Sequence, residues 1–468
     1  MPSLTFRHAR VSGEDLCEQA DRLAGGLAAR GIASGDAVAI LLPNGVAAAA
    51  AVLALGRLGA VAVPLSPQSK PAELEFVSRD ARVAAVLTDD RGAARVEGLA
   101  ARTIIGLEAL IEDHTPVAAS VRPDDVAVYQ YSSGSTGRPK RVPRTHAQLA
   151  AEARAYAAAT GLTADDTILC AIPLFHSYGL GCCLLAAAHS GAALALLAAS
   201  QPFAIQREAA LDVLEREGVT VFPAVPFMLR ILAEAPRAAD LSALRLCFSA
   251  ASALPPETFA AFHRRFGVPV RQLYGLTEAG AVTVNADGEP WATARTVGRP
   301  LPGVELDILD SAGRPLGPGR IGEVAIRSPA MTRGYAGVDD AVNQQAFAGG
   351  RFLTGDRGRV GEDGRLVLTG RRKLVIDVRG DKVDPIEVED VLAVHPKVRE
   401  VVVVGVPSGI AGEELVKAVV VPRERCGDRE LIRFCGERLA NHKVPRLVEF
   451  RDEIPRSPLG KVLRKDLV

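Results

Sequence analysis

Two textures of hydrophobic and polar positions alternate along the first part of this chain. One is short and uninterrupted. DAVAILLP (36–43), VAVPL (61–65) and AAVLT (84–88) are apolar at nearly every position, as in strands covered on both faces. The other is longer and Ala-rich. Ser12-Gly13-Glu14-Asp15 reads as a capping box opening a helix to about Arg30, and helices follow at about 45–58 and near 71–80. A helix near 147–159 leads to TILCAIP (167–173), and strand signals recur at 192–198, 219–222, 244–249 and 270–274. Strands separated by helices of this length need crossover connections, so the predicted class is α/β with largely parallel sheets flanked by helices.

From about residue 300 the pattern changes. Turn signals (GRPLPGVE, DSAGRPLGPGR, GEDGR) separate short alternating runs such as VELDIL and GEVAIRS, which predicts a β-rich, hairpin-rich subdomain over about 300–370. Beyond GRRK (370–373) helix and strand signals alternate again. The expected division is an N-terminal domain of residues 1–371 and a small α+β domain of residues 372–468, with the charged stretch between them as linker.

Residues 179–199, GLGCCLLAAAHSGAALALLAA, carry no Lys, Arg, Asp or Glu and match a membrane span in length. His189-Ser190-Gly191 divides them, which favours a buried helix followed by a buried strand. MPSLTFRHAR lacks a signal-peptide apolar core. Lys plus Arg equals Asp plus Glu at 55 each, so charge gives no reason to expect nucleic acid or an anionic membrane as partner. The seven cysteines form no CxxC pair and no zinc-like Cys/His cluster; they read as buried thiols of a cytoplasmic protein.

Candidate chemistry begins at YQYSSGSTGRPK (129–140). Ser132, Ser133, Ser135 and Thr136 offer hydroxyls, Gly134 and Gly137 allow backbone N–H groups close to an anion, and Lys140 adds a positive charge. The spacing is neither a Walker loop nor a GxSxG elbow. On composition alone an anion cradle and a plain glycine-rich turn stand level.

A second stretch, QLYGLTEAG (272–280), separates them. Together the two strongly resemble the adenylate-forming superfamily of acyl-CoA synthetases, aryl-acid ligases, luciferases and peptide-synthetase adenylation domains. Further motifs follow in the family's order: PLFHSYG (173–179), GEVAIRS (322–328) leading to RGY (333–335), FLTGDRG (352–358), GRRKLVIDVRG (370–380) and PRSPLGKVLRKDL (455–467). GIASGDAVAILLPN and GAVAVPLSP also fit, so the resemblance covers the whole chain.

The resemblance implies that a carboxylate attacks the α-phosphorus of ATP to give an acyl adenylate and pyrophosphate, after which a thiol displaces AMP. Residues 132–140 would hold the β- and γ-phosphates, Thr277 would contact the α-phosphate, and Glu278 would hold Mg²⁺. Tyr274 and Gly275 would lie against adenine, with Ala251 and Ser252 on its other side. Asp356 would bind the ribose hydroxyls and Arg371 ribose and phosphate. Lys461, without the family an ordinary surface lysine, matches the mobile lysine that bridges acyl carboxylate and α-phosphate. Lys373 falls at the hinge about which the small domain swings, and Gly380 on the pantetheine path. His176 would sit near the acyl carboxylate, although a lone His beside Phe175 also suits a core. Phe175, Tyr178, Gly179 and Phe222 are candidate acyl-pocket residues and equally candidates for ordinary packing.

Four departures stand out. Arg141 follows PK where Gly is usual, Leu353 precedes TGD in place of a basic residue, Leu374 follows Lys373, and residues 249–252 are SAAS where two glycines are frequent. The expected activity is ATP-dependent activation of a small carboxylic acid followed by thioester formation with CoA. The alternative acceptor is the phosphopantetheine of a carrier protein, supplied in trans. Remoter readings are a non-catalytic scaffold and an unrelated phosphotransferase. The expected assembly is a monomer or homodimer.

Overall fold

The computed structural model describes residues 3–7, 9–89, 92, 93, 96, 103–106, 120–132, 139–198, 202–371, 376–378, 381–408, 414–456 and 462–468. The chain divides into two compact units. One comprises residues 1–306, 326–353 and 364–366, the other residues 307–325, 354–363 and 367–468.

The first unit is organised around two sheets. A six-stranded sheet runs in the order Thr103–Gly106, Ala85–Thr88, Ala37–Leu41, Val61–Pro64, Val126–Ser132 and Lys140–Thr145. All neighbours are parallel except the last pair. A nine-stranded sheet runs Arg299–Pro300, Gly280–Val284, Val270–Leu276, Leu246–Ser249, Val221–Ala224, Thr167–Cys170, Ala193–Leu196, Leu4–Phe6 and Ala9–Val11. Its middle is parallel and its ends antiparallel. The mixed α/β class expected from the alternating textures is what forms.

The apolar runs are apolar because they are covered. Every residue of Ala37–Leu41, Val61–Pro64 and Ala85–Thr88 is buried, as a parallel sheet with helices on its faces requires. The helix Gly13–Ala29 starts where the capping box predicted. Ser12 Oγ accepts from Asp15 N, and the Asp15 carboxylate accepts from Ser12 N.

The uncharged stretch after residue 179 resolves into a helix-then-strand pair with one irregularity. A short helical turn, Ser177–Gly179, passes into a π-helical segment, Leu180–Leu185, then helix Ala186–Ser190. Gly191 turns the chain at φ +81° into the strand Ala193–Leu196. Among the described residues no helix is long and apolar enough to cross a membrane.

Residues 305–371 contribute a five-stranded sheet built of Glu305–Leu309, Gly322–Arg327, Arg351–Val360, Phe347–Ala348 and Leu366–Arg371. In the second unit, Val398–Pro407, Glu414–Pro422 and Leu447–Phe450 form a three-stranded sheet. Its period-two alternation makes two cores. Val403, Val416, Ala418 and Val420 face Val388, Leu392, Leu431 and Cys435, while Val402, Val404, Val419 and Val421 face Ile454 and Leu467.

Candidate active site

The hydroxyl-rich stretch is flanked by two paired strands. Val126–Ser132 and Lys140–Thr145 pair antiparallel, and Ser132 stands opposite Lys140 in the register. These two residues hold the ends of the loop, whose Ser133, Gly134, Ser135, Thr136 and Gly137 lie outside the described residues. The unusual Arg141 anchors the hairpin. Its Nη1 donates to the carbonyl of Asp80 at 2.6 Å, at the C-terminus of helix Pro71–Asp80, where a cation is favoured. The Tyr131 hydroxyl donates to the Asp80 carboxylate at 2.7 Å from the opposite strand.

The second motif is a tight turn between two antiparallel strands. Tyr274 is buried on Val270–Leu276, and the register slips between Tyr274 and Gly275. A Cβ at Gly275 would lie 2.6 Å from the carbonyl oxygen of Gly280, so the backbones approach as only glycine permits. Thr277 and Glu278 occupy the turn itself, with Thr277 half-buried and Glu278 buried.

Glu278 is held from two sides by residues 332–335. Its carbonyl accepts from Thr332 N at 2.8 Å, and its Oε1 accepts from the Tyr335 hydroxyl at 2.8 Å. Burial, then the adjacent Glu278 charge, push the Tyr335 hydroxyl far above its ordinary pKa, so it stays protonated and donates. Lys140 Nζ lies 4.5 Å from the centroid of the same ring. One tyrosine therefore touches both the lysine that follows the hydroxyl-rich stretch and the carboxylate expected to hold the metal.

A buried ion pair fixes these pieces together. Arg144 Nη1 donates to Glu152 Oε2 at 2.8 Å, both side chains being 1% exposed. Glu152 Oε1 accepts from Ala281 N at 3.1 Å. Cβ atoms at Gly181 and Gly280 would come 2.2 and 2.1 Å from this carboxylate, so both segments close directly on it. Gln148 Nε2 donates to the Met331 carbonyl at 2.6 Å, and Thr332 Oγ1 donates to that of Pro143 at 2.7 Å.

The His176 segment is set by Asn44, a residue sequence reasoning assigned no role. Its Nδ2 donates to Ile172 O at 3.0 Å and its Oδ1 accepts from Leu174 N at 2.8 Å. His176 is the N-cap of the turn that follows. Its Nδ1 accepts from Tyr178 N at 3.2 Å, which puts the proton of a neutral ring on Nε2. Phe175 and His176 are half-buried, while Tyr178, Gly179 and Phe222 are buried. A Cβ at Gly179 would stand 2.4 Å from Pro173 O. Cys182 and Cys183 follow in the π-helical turn, where burial drives both thiols well above their usual pKa; a nearby carboxylate, Glu152, adds to the rise at Cys182.

The SAAS segment is strained. Ala251 takes φ +68° and is exposed with Ser252. A left-handed conformation costs a non-glycine residue about 1–2 kcal/mol, which explains why glycines suit this segment. In the second unit, Asp356 is 4% exposed, and its N–H donates to Thr354 Oγ1 at 3.0 Å. Arg371 ends the strand Leu366–Arg371. Lys373, Gly380 and Lys461 lie outside the described residues.

The AMP-binding enzyme profile matches residues 1–336, and the AMP-binding enzyme C-terminal domain profile matches residues 387–461. The chain belongs to the AMP-binding enzyme family. It is 33% identical over 488 residues to pyochelin synthase PchD of Pseudomonas aeruginosa, covering 98% of this chain and 87% of that protein. It is 34% identical over 461 residues to a feruloyl-CoA synthase of Amycolatopsis sp, covering 97% and 92%. The fold is similar to that of Bacillus subtilis o-succinylbenzoate coenzyme A synthetase (MenE) in complex with ATP and magnesium ion, with TM-score 0.88, 29% identity, and 99% and 96% of the two chains covered.

One carboxylate is enough for magnesium in such a site. Among the described residues no group of three or more His, Cys, Asp or Glu could cage an ion. Mg²⁺ retains several waters and takes one or two protein carboxylates plus substrate phosphates, which fits a lone, buried Glu278.

Proposed function

We propose that this protein is an AMP-forming acid–thiol ligase that makes acyl-CoA from a carboxylic acid, ATP and CoA. The observation that carries the reading is the meeting of Lys140 and Glu278 on Tyr335 at the base of the hydroxyl-rich loop. A carboxylate and a triphosphate repel each other, and catalysis of their reaction is mostly placement of positive charge and orientation.

In the first step the acid's carboxylate oxygen attacks the α-phosphorus, the bond to the β-phosphate oxygen breaks, and pyrophosphate leaves. Ser132 to Lys140 bind the β- and γ-phosphates, Thr277 the α-phosphate, and Tyr274, Gly275, Ala251 and Ser252 the adenine. Asp356 and Arg371 bind the ribose. Bound Mg²⁺, held by Glu278, would supply charge neutralisation at the phosphate oxygens. Lys461 bridges the two reacting anions. In the second step the small domain swings about Lys373, and the CoA sulfur attacks the acyl carbon along a path lined by residue 380. AMP leaves and the thiol proton passes to solvent.

His176, Phe175, Tyr178, Gly179 and Phe222 shape the acid side, which suits an aromatic or short-to-medium aliphatic acid. CoA is favoured over a carrier protein because the feruloyl-CoA synthase and the coenzyme A synthetase are similar along nearly the whole chain. The enzyme works in the cytoplasm, where ATP and CoA are at hand. The test is pyrophosphate release over a panel of carboxylic acids, repeated with CoA and with phosphopantetheinylated carrier proteins. AMP and acyl-CoA are the expected products; ADP and phosphate would overturn the reading.

A further inference from the structure

The RGY motif (333–335) is left without a task by the reaction just described. Its tyrosine is heavily constrained. Asn343 brackets the backbone, its Oδ1 accepting from Tyr335 N at 2.8 Å and its Nδ2 donating to Tyr335 O at 2.9 Å. Phe347 and Phe352 meet the ring edge-on, with centroids 5.4 and 6.5 Å away. Ala336 N donates to Arg141 O at 2.9 Å, tying the motif to the residue after Lys140. A residue fixed by this many partners has little rotational freedom left.

We propose that Tyr335 is a positioning residue of the adenylation site: its hydroxyl sets the Glu278 carboxylate, and its ring face seats the Lys140 ammonium. This rests on the assignment of Glu278 to the metal and Lys140 to the triphosphate.

Two physical effects support the arrangement. A buried carboxylate needs hydrogen-bond donors, and a donor on one oxygen fixes the rotation of the group, as outer partners of metal ligands do. A cation over an aromatic face is held by the ring's negative quadrupole. The contacts also reinforce each other: donating its proton towards Glu278 makes the phenol more electron-rich, which strengthens its hold on Lys140. The metal carboxylate and the phosphate cation are thereby set from one side chain before substrate arrives, and less ordering remains to be done on binding.

The test separates the hydroxyl from the ring. Tyr335→Phe keeps the face and removes the donor, whereas Tyr335→Leu removes both. Binding of ATP is measured by calorimetry with EDTA and with Mn²⁺, and Mn²⁺ itself by electron paramagnetic resonance. Tyr335→Phe is expected to weaken Mn²⁺·ATP about ten-fold while leaving metal-free ATP within two-fold. Tyr335→Leu is expected to weaken metal-free ATP several-fold as well. In a Glu278→Gln background, Tyr335→Phe should add no further loss, a result that a general loosening of the fold would not give. Unchanged Mn²⁺·ATP affinity in Tyr335→Phe, or an undiminished further loss in the Glu278→Gln background, overturns the proposal. If the unmutated protein binds no ATP, the assignment of the site itself has failed, and the proposal with it.

Discussion

The side-chain amide of Asn44 and the backbone flanking Pro173 form a two-pronged clamp. Nδ2 reaches Ile172 O at 3.0 Å, and Oδ1 takes the N–H of Leu174 at 2.8 Å. Asn44 follows the strand Ala37–Leu41 of one sheet, whereas residues 172–174 follow Thr167–Cys170 of the other. The clamp thus joins the two sheets at the segment that delivers His176.

Asn44→Leu strands a buried carbonyl and a buried N–H. Each orphaned group costs about 1–3 kcal/mol, so urea unfolding should show a loss of that order. The acid's KM should rise more than that of ATP, because the clamp supports the His176 side of the site. Equal effects on both substrates would assign Asn44 to general stability.

Arg144 and Glu152 make a second prediction. Removing one partner of a buried pair leaves an uncompensated charge and costs about 3–5 kcal/mol. Arg144→Met alone should show this in denaturant melts, and Arg144→Met with Glu152→Leu should recover part of it. Gly280→Ala should also be destabilising, since its Cβ would sit 2.1 Å from Glu152 at φ +68°. Glu152→Ala should relieve the steric part of that defect and leave the backbone strain.

Lys461→Ala is expected to slow adenylate formation by roughly 10²-fold or more, the usual effect of losing a charge-stabilising group. Thioester formation from supplied acyl adenylate should survive. Pyrophosphate release and thioester formation, measured separately, check this. Equal loss of both half-reactions contradicts the role given to the lysine.

His146 predicts a pH dependence. Burial lowers its imidazole below the ordinary 6.5, with Asp125 opposing the shift. Between the lowered value and 6.5 the unfolded chain binds more protons than the folded one. Stability from this site is therefore present above 6.5, lost as pH falls through that window, and flat below it. Relative to His146→Gln, the melting temperature of the unmutated protein should fall between pH 7 and pH 5. Parallel curves would exclude the effect.

Most of the parallel core was legible in the sequence because strands covered on both faces are apolar at every position. Elements at edges were not. Lys140–Thr145, KRVPRT, carries three basic residues and a proline, which a central strand rejects and an edge strand tolerates. Ala9–Val11, at the edge of the nine-stranded sheet, and its neighbour Leu4–Phe6 are too short to show a period. The π-helical turn Leu180–Leu185 has the composition of any buried helix. Of the site, the motif residues were readable through their resemblance to a family. Asn44, Arg144, Glu152 and the role of Tyr335 were not. Their work is done through contacts between segments distant in sequence, and no local pattern encodes that.

The cysteines carry one last implication. An acyl adenylate is an indiscriminate electrophile, and any ionised sulfur beside it would be consumed in place of the intended acceptor. In the π-helical segment Leu180–Leu185, burial keeps Cys182 and Cys183 protonated at neutral pH, and it does the same for Cys247 on the strand Leu246–Ser249. A member of a family that forms acyl adenylates thus carries these sulfurs in the form least able to be acylated.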